Sequence, residues 1–444
     1  MSHHSDPYKP GLPGQGFCER AVLEISSARD EPAWLRERRL EAWKIYEQLP
    51  MPTRREEFWK YSDPRELGLD SLLPWTSAAE AAGQKLSSLV LLPRERSSGL
   101  MTRVNSELFS VEPGSEWERA GVIFTDLSDA AARWPELVRE WLMVKAVVAG
   151  RGKLTALHGA FFSGGAFVYV PEGVELEHPL QVVHGAAGQG AAVMPHTLVV
   201  AEKGSRVALV ERFASLDVAS GCAMSVVEIF AEEGARVGYL SLQDWGPGMS
   251  HYAVQRAILR RDSEFRSLVV NFGGRFARAE VESILDGEGS NSEMLGVFFA
   301  DSRQHFDQRT LQSHEAVSTK SDLLYKGALK EEARAVYSGL IKIHPGAQRS
   351  DAYQANRNLV LGEKARAHSV PRLEIEANDV RCSHGATVGQ LDEEQLFYLM
   401  SRGLVQEESE KLLVFGFFQE VLDRIPEEDV RSLLEAAIRQ KLGA

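Results

Sequence analysis

Between about Gly164 and Leu391 the sequence keeps one rhythm: short runs rich in Val, Ile, Leu, Tyr and Phe, interrupted at near-regular intervals by turn residues. The turns fall near Gly173, Gly188, Gly204, Gly221 and Gly234, and continue through Gly289, Ser318 and Gly346 to Lys364 and Asp379. The mean step is about 15 residues, the spacing of one short strand plus one turn. Several turns also look alike: Pro171-Glu-Gly173, Glu202-Lys-Gly204, Glu232-Glu-Gly234 and His344-Pro-Gly346 each follow an apolar residue and precede another strand. Two steps make about 30 residues, one coil of a solenoid whose rungs bury apolar side chains against the rungs above and below. The fold class expected is therefore mainly β: a right-handed parallel β-helix core with helical N-terminal and C-terminal regions. A two-sheet sandwich is the rival, because it too is built of short, evenly spaced strands. In the late strand Leu373, Ile375 and Ala377 are expected to point inward and Glu374 and Glu376 to water, since side chains alternate along a strand.

With 444 residues, the chain is long enough for two or three structural units. The expected division is a mainly helical N-terminal region with a linker over 1–150, the β-helix over 151–391 and a helical domain over 392–444. A net charge of -13 argues against a surface that tracks phosphates, so no nucleic-acid role is expected. No run of 18 apolar residues and no apolar signal core is present, so neither membrane insertion nor export is expected and a cytoplasmic protein is. The three cysteines, Cys18, Cys222 and Cys382, are far apart in sequence and suit reduced thiols.

The first 16 residues are rich in Gly, Pro and His and read as a mobile tail in which His3 and His4 bind at most a stray metal. Trp34, Leu35, Leu40, Trp43, Tyr46 and Leu49 have helical spacing, and a further segment from Arg54 to Tyr61 ends at Ser62-Asp63-Pro64. Residues 75 to about 125 read as a linker with a few strands, and Leu127 to Ala149 returns to helical spacing. The following Gly150-Arg-Gly152-Lys153 is half of a phosphate loop, but Leu154 stands where Ser or Thr would hold magnesium and Val147 where the first Gly belongs. ATP hydrolysis by this chain is therefore not expected.

Beyond the ladder, Asp392 can cap a helix with Gln395 three residues on and Gly403 as its stop. A second helix, about Glu407 to Leu422, is apolar on more than one side, and a third begins at Pro426 with Glu427, Glu428 and Asp429 at its positive end. These helices are expected to close the end of the solenoid, the middle one being also able to face a partner.

The chemistry-bearing cluster is Cys382-Ser-His384 in the last rung. Residues two apart on a strand share a face, so thiol and imidazole can approach one metal ion together, yet a closed zinc or iron–sulfur site takes about four ligands. A Cys–His dyad lacks an evident means of lowering the thiol pKa, and a buried Cys beside a hydrogen-bonded His is the plain structural reading. His305 and Asp307 also share a face; His314, read as belonging to a nearby strand, and Glu315 complete a group best explained as a hydrogen-bonded ladder. Asp286-Gly-Glu-Gly-Ser-Asn291 lacks the ligand spacing of a calcium loop and reads as a turn.

Several stretches resemble the SufB/SufD family of the SUF iron–sulfur cluster assembly system: Thr319-Lys-Ser-Asp-Leu-Leu-Tyr-Lys-Gly327, Tyr337-Ser-Gly-Leu-Ile-Lys-Ile343, Arg357-Asn-Leu-Val-Leu-Gly362, His368-Ser-Val-Pro-Arg-Leu-Glu374, Cys382-Ser-His-Gly-Ala-Thr-Val-Gly389 and the Asp392–Gly403 segment. Glu57-Phe-Trp-Lys-Tyr61 resembles a Trp-Lys-Tyr motif of SufD-type N-terminal regions. Where SufB-type members carry a cluster-associated cysteine this chain has Asn356, and where they carry Glu-His-Glu it has Ser383-His384-Gly385, so the resemblance falls on the SufD side. It implies a non-catalytic scaffold subunit that pairs with SufB through the β-helix, with His384 and Cys382 contacting a transient nascent iron–sulfur cluster shared with SufB. It further implies docking of the ATPase SufC on the C-terminal helices, through Asp392, Glu393, Glu394, Phe397, Tyr398, Arg402 and Gly403. Two alternatives stand beside this reading: a SufB-like scaffold working as a homodimer, and a β-helix enzyme acting on polysaccharide. The second is disfavoured by the presence of only six Asn and no export signal.

Overall fold

In the computed structural model, which describes residues 16–77, 85–216, 218–425 and 428–443, the chain winds into stacked coils that build two sheets facing one another. His3, His4, Pro426 and Glu427 lie outside the described residues. One sheet has ten strands, from Glu107–Pro113 and Gly99–Val104 at one edge through Leu180–Ala186, Arg206–Ser215, Arg236–Asp244, Glu264–Asn271, Asn291–Ala300, Lys320–Leu329 and Asp351–Val360 to Arg381–Gly389 at the other. The second sheet ends at Arg366–Ile375 and runs back through Arg334–Ile343, His305–His314, Phe276–Leu285 and Met249–Leu259 to Ile123–Asp126. From Leu180 onward every pairing is parallel, and each residue's register partner lies about 30 residues further on. This is the parallel β-solenoid expected from the turn rhythm. The sandwich rival shared its two-layer section but not its pairing, because sandwich strands run antiparallel.

One column of turns shows why the rhythm was visible. Gly173, Gly204, Gly234, Asp262, Gly289, Ser318 and Arg349 all have positive φ, a conformation that glycine adopts without the steric cost a Cβ brings. Each also donates its N–H to a carbonyl in the next turn, as from Gly204 to Glu233 (2.8 Å) and from Ser318 to Gln348 (2.9 Å). The turns are therefore hydrogen-bonded along the solenoid axis much as the strands are, and little backbone polarity is left over at that corner.

The two sheets also take in Gly99–Val104, Glu107–Pro113 and Ile123–Asp126, which precede the regular repeat. Gly99–Val104 pairs parallel with Leu180–Ala186, while Ile123–Asp126 pairs antiparallel with Ala166–Val170. A helix over Ala33–Gln48 forms where helical spacing required it, preceded by another at Glu19–Ala28. The helical reading of Leu127–Ala149 is corrected to two short helices, Leu127–Arg133 and Pro135–Trp141. Pro135 lacks the N–H that a continuous helix needs and clashes with the turn before it, so it starts a new helix instead.

The abortive phosphate loop has a structural task. Lys153 Nζ donates to the carbonyls of Tyr46 (2.8 Å) and Leu49 (2.7 Å), which are the free end of the Ala33–Gln48 helix, and Arg151 is paired with Glu280 and Glu282 on the sheet. The loop fastens the N-terminal region to the solenoid.

The C-terminal helices correct another expectation. They do not close the last coil; Gln406–Leu422 and Glu428–Leu442 fold back along the outer face of the first sheet. Val414, Phe418, Val421 and Leu434 pack there on Val210, Leu240, Leu268, Leu295 and Leu324, all buried. The reason is where apolar area lies. These outward-pointing residues form a stripe along the flank, and covering it removes more apolar surface from water than covering the polar last coil. Lys326 and Arg357 pin the helix through Glu420, each at 2.6 Å.

Candidate functional site

The last coil is the place where the solenoid stops without being covered. Arg366–Ile375 and Arg381–Gly389 are the terminal strands of their sheets, each pairing on one side only. Every residue of Arg381–Gly389 is exposed except the half-buried Cys382, whereas seven of the nine register positions two coils earlier are buried. A long unpaired strand edge is a template for another chain's strand.

Strand parity places the chemistry. Leu209, Tyr239, Ser267, Met294, Leu323, Gln354 and His384 form one column in register, one residue per coil. That column points between the sheets, because Ser267 Oγ accepts a 2.8 Å bond from Gln255 Nε2 of the opposite sheet. His384 is thus an inward position left open because no further coil follows. Cys382 ends the neighbouring inward column above Ala352 and packs near Ile341 and Ile343. Burial, with the negative charge of Asp351 adding to it, pushes the Cys382 thiol up to about 11. Among the described residues no three His, Cys, Asp or Glu side chains gather where they could hold a metal. His384 and Cys382 therefore lie on one face of one strand, as expected.

Asn356, two residues beyond Gln354 on the same strand, is fully buried and also inward. Its Oδ1 accepts from Ser369 Oγ and from Asn358 Nδ2, both at 2.7 Å, tying the terminal strand of the second sheet to the next-to-last strand of the first.

His305 and Asp307 share the outer face of the second sheet, but His314 is corrected. It lies on the same strand, His305–His314, and its odd separation from both turns it to the opposite face. There it meets Thr319 (2.7 Å) and Ser321 (2.8 Å) inside the solenoid, and burial pushes its pKa down to about 4. Asp307 is a buried hub: it accepts from Ser62 Oγ (2.6 Å), Arg278 (2.7 Å) and Arg309 (3.0 Å). Burial alone would raise its pKa; Arg278 and Arg309 overcome that and hold it below the usual range. His305 reaches Glu66 at 3.2 Å. The ladder of the solenoid interior is corrected: His305 and Asp307 bond outward to Ser62 and Glu66 of the N-terminal segment, partners that spacing within the repeat could not have shown. The same Arg278 guanidinium lies 3.8 Å over the Trp59 ring, so the Glu57–Tyr61 segment is held flat on the sheet.

Of the remaining positions singled out, Asp392 caps the helix Glu393–Ser401 by accepting from the N–H of Glu394 (2.9 Å) and Gln395 (3.1 Å), and Gly403 follows it at φ 98°. No residue of that helix is buried. Phe397 is 74% exposed and Tyr398 56%, with Arg402 stacked on the Tyr398 ring, so the helix shows an apolar face with Glu393 and Glu394 beside it.

An open last coil, a ligand pair too small to close a site and an uncovered apolar helix lie toward the C-terminal end of the chain. Comparison with known proteins gives the family. Residues 183–417 match the model described as SUF system FeS cluster assembly, SufBD core domain, and residues 94–182 match the SufBD protein N-terminal region. The chain is 31% identical over 428 residues to the iron–sulfur cluster assembly protein SufD of Bacillus subtilis, covering 95% of this chain and 97% of the relative. It is also 28% identical to an iron–sulfur cluster assembly SufBD family protein of Staphylococcus epidermidis, over 93% of this chain and 90% of that one. This chain belongs to the SufBD family of the SUF iron–sulfur cluster assembly system.

Proposed function

We propose that the chain is the SufD-type subunit of a heteromeric scaffold. Its terminal strands pair with a SufB-type chain, and His384 supplies one ligand to a nascent iron–sulfur cluster whose other ligands come from that partner. The observation that carries this reading is the inward column ending at His384 on an uncovered edge, with Cys382 on the same face of the strand. The iron and sulfide are cargo here, so one neutral imidazole that releases its hold readily suits a site that must also give the cluster up. The exposed helix Glu393–Ser401 is the docking face for the ATPase SufC, with Phe397 and Tyr398 as its apolar anchors. Movement of SufC on ATP would then reach the site through Glu420. This carboxylate binds Arg357, on the strand that also carries Gln354 and pairs with the strand of His384.

The test is His384→Ala in the chain produced together with SufB-type and SufC-type partners. Because His384 is exposed, folding and assembly should be retained while iron and sulfide per complex fall severalfold. Wild-type iron and sulfide content in the assembled variant would remove His384 from the site, and a failure of the wild-type chains to associate by mass measurement would remove the pairing.

A further inference from the structure

Gln354 is fully buried, and neither its Oε1 nor its Nε2 has a hydrogen-bond partner. An amide left so in a solenoid interior destabilises the chain relative to an apolar side chain of similar size. Its surroundings show which way it can turn. In its own column the preceding coil offers Leu323, which has no polar atom, and the following coil offers His384. Across the gap it faces Gly339, where even a Cβ would come within 2.4 Å of Nε2, and Tyr337, whose Oη is engaged with Thr310 at 2.9 Å. Ser369, the polar residue next to Tyr337 in the terminal strand, spends its one O–H on Asn356 and so can offer Gln354 an acceptor but no donor. Oε1 needs a donor, and the next residue of its own column, His384, carries ring N–H capacity about 4.8 Å away in backbone spacing across a parallel ladder. Glycine at 339 leaves the room in which a long polar side chain can sit at all.

Resting on the reading of His384 as a cluster ligand, we infer that Gln354 is its positioning residue: when the open edge is occupied, Gln354 Oε1 accepts the imidazole N–H and leaves the other ring nitrogen bare and directed out of the coil toward iron. An imidazole ligand whose second nitrogen is held by an acceptor has a fixed tautomer and orientation, and losing such an acceptor weakens metal binding by roughly 10–100-fold. A side chain that costs stability in the lone chain and is satisfied only in the assembly belongs to function rather than to packing.

The experiment uses three variants in the assembled complex, Gln354→Leu, Gln354→Glu and His384→Ala, with Co2+ as the probe and its absorption bands as the readout, alongside the thermal midpoint of the full chain alone. Gln354→Leu should raise the midpoint of the lone chain by about 1–2 °C and weaken Co2+ binding about tenfold or more. Gln354→Glu, which keeps an acceptor, should bind within a few-fold of wild type although it is less stable. Unchanged Co2+ affinity in Gln354→Leu, with binding abolished in His384→Ala, overturns the positioning role alone. Unchanged binding in His384→Ala overturns the reading on which it rests. A lowered midpoint in Gln354→Leu would show that the amide is satisfied in the lone chain and would equally sink the inference.

Discussion

Asp307→Ala tests how the N-terminal segment is fastened to the solenoid. Asp307 is completely buried and neutralises two arginines, Arg278 and Arg309, whose side chains are 0% and 4% exposed. Arg278 keeps Glu280 at 3.1 Å after the substitution, but among the described residues Arg309 retains no other carboxylate within bonding distance. Breaking a buried pair by removing one partner costs about 3–5 kcal/mol, and the remaining Glu280 contact places the expected loss near the lower end, about 3 kcal/mol. Ser62 loses its acceptor at the same time, so Ser62→Ala should add little to Asp307→Ala, although alone it should cost about 1.5–3 kcal/mol, the worth of a hydrogen bond to a charged group. The assay is urea unfolding followed by tryptophan fluorescence, with limited proteolysis between Arg54 and Glu66 reporting local release. The sign with pH follows from the depressed pKa. The stabilisation by Asp307 is complete above the free aspartate value of about 3.9 and is lost as pH falls through the lower folded value. Acidification below about pH 4 should therefore destabilise the wild type more steeply than Asp307→Asn. A loss below about 1 kcal/mol in Asp307→Ala, or full additivity with Ser62→Ala, would refute the account of Asp307 as the hub.

Two further outcomes follow from the packing and the site. Phe418, fully buried between Phe299 and the other C-terminal helices, should cost about 3–5 kcal/mol when replaced by Ala, with protease cleavage appearing first in residues 406–442; a change under 1 kcal/mol would contradict docking on the flank. Iodoacetamide should label Cys382 slowly at pH 7 and steadily faster toward pH 11, in line with its raised pKa; a pH-independent fast reaction would contradict the protonated thiol.

The solenoid was legible because its turns repeat chemistry as well as spacing. Gly173, Gly204, Gly234 and Gly289 mark one corner, and the substitutes Asp262, Ser318 and Arg349 fall in phase with them. The position of His384 beside Cys382 followed from strand parity, and the same rule applied to the strand bounds would have turned His314 inward; the error lay in splitting His305–His314 into two strands. A few strands were expected in residues 75 to about 125, but that Gly99–Val104 and Ile123–Asp126 join the two sheets was not legible, because they pair with partners some 40 to 80 residues away, outside the repeat. The helices' docking on the flank did have a signal. Leu240 and Leu242, Leu268 and Val270, and Leu295 and Val297 are outward yet apolar, which marks a covered sheet face. Gln354 could not be singled out, since only coordinates reveal that a buried amide lacks a partner.

The central claim is that an open last coil is completed by a neighbouring chain, and backbone hydrogen exchange of the full-length protein with and without the SufB-type partner tests it most directly. Amides in Arg366–Ile375 and Arg381–Gly389 should exchange readily in the lone chain and become strongly protected in the complex, while those of Met249–Leu259 stay unchanged. Equal exchange of the terminal strands in both samples, with the complex intact, would contradict it.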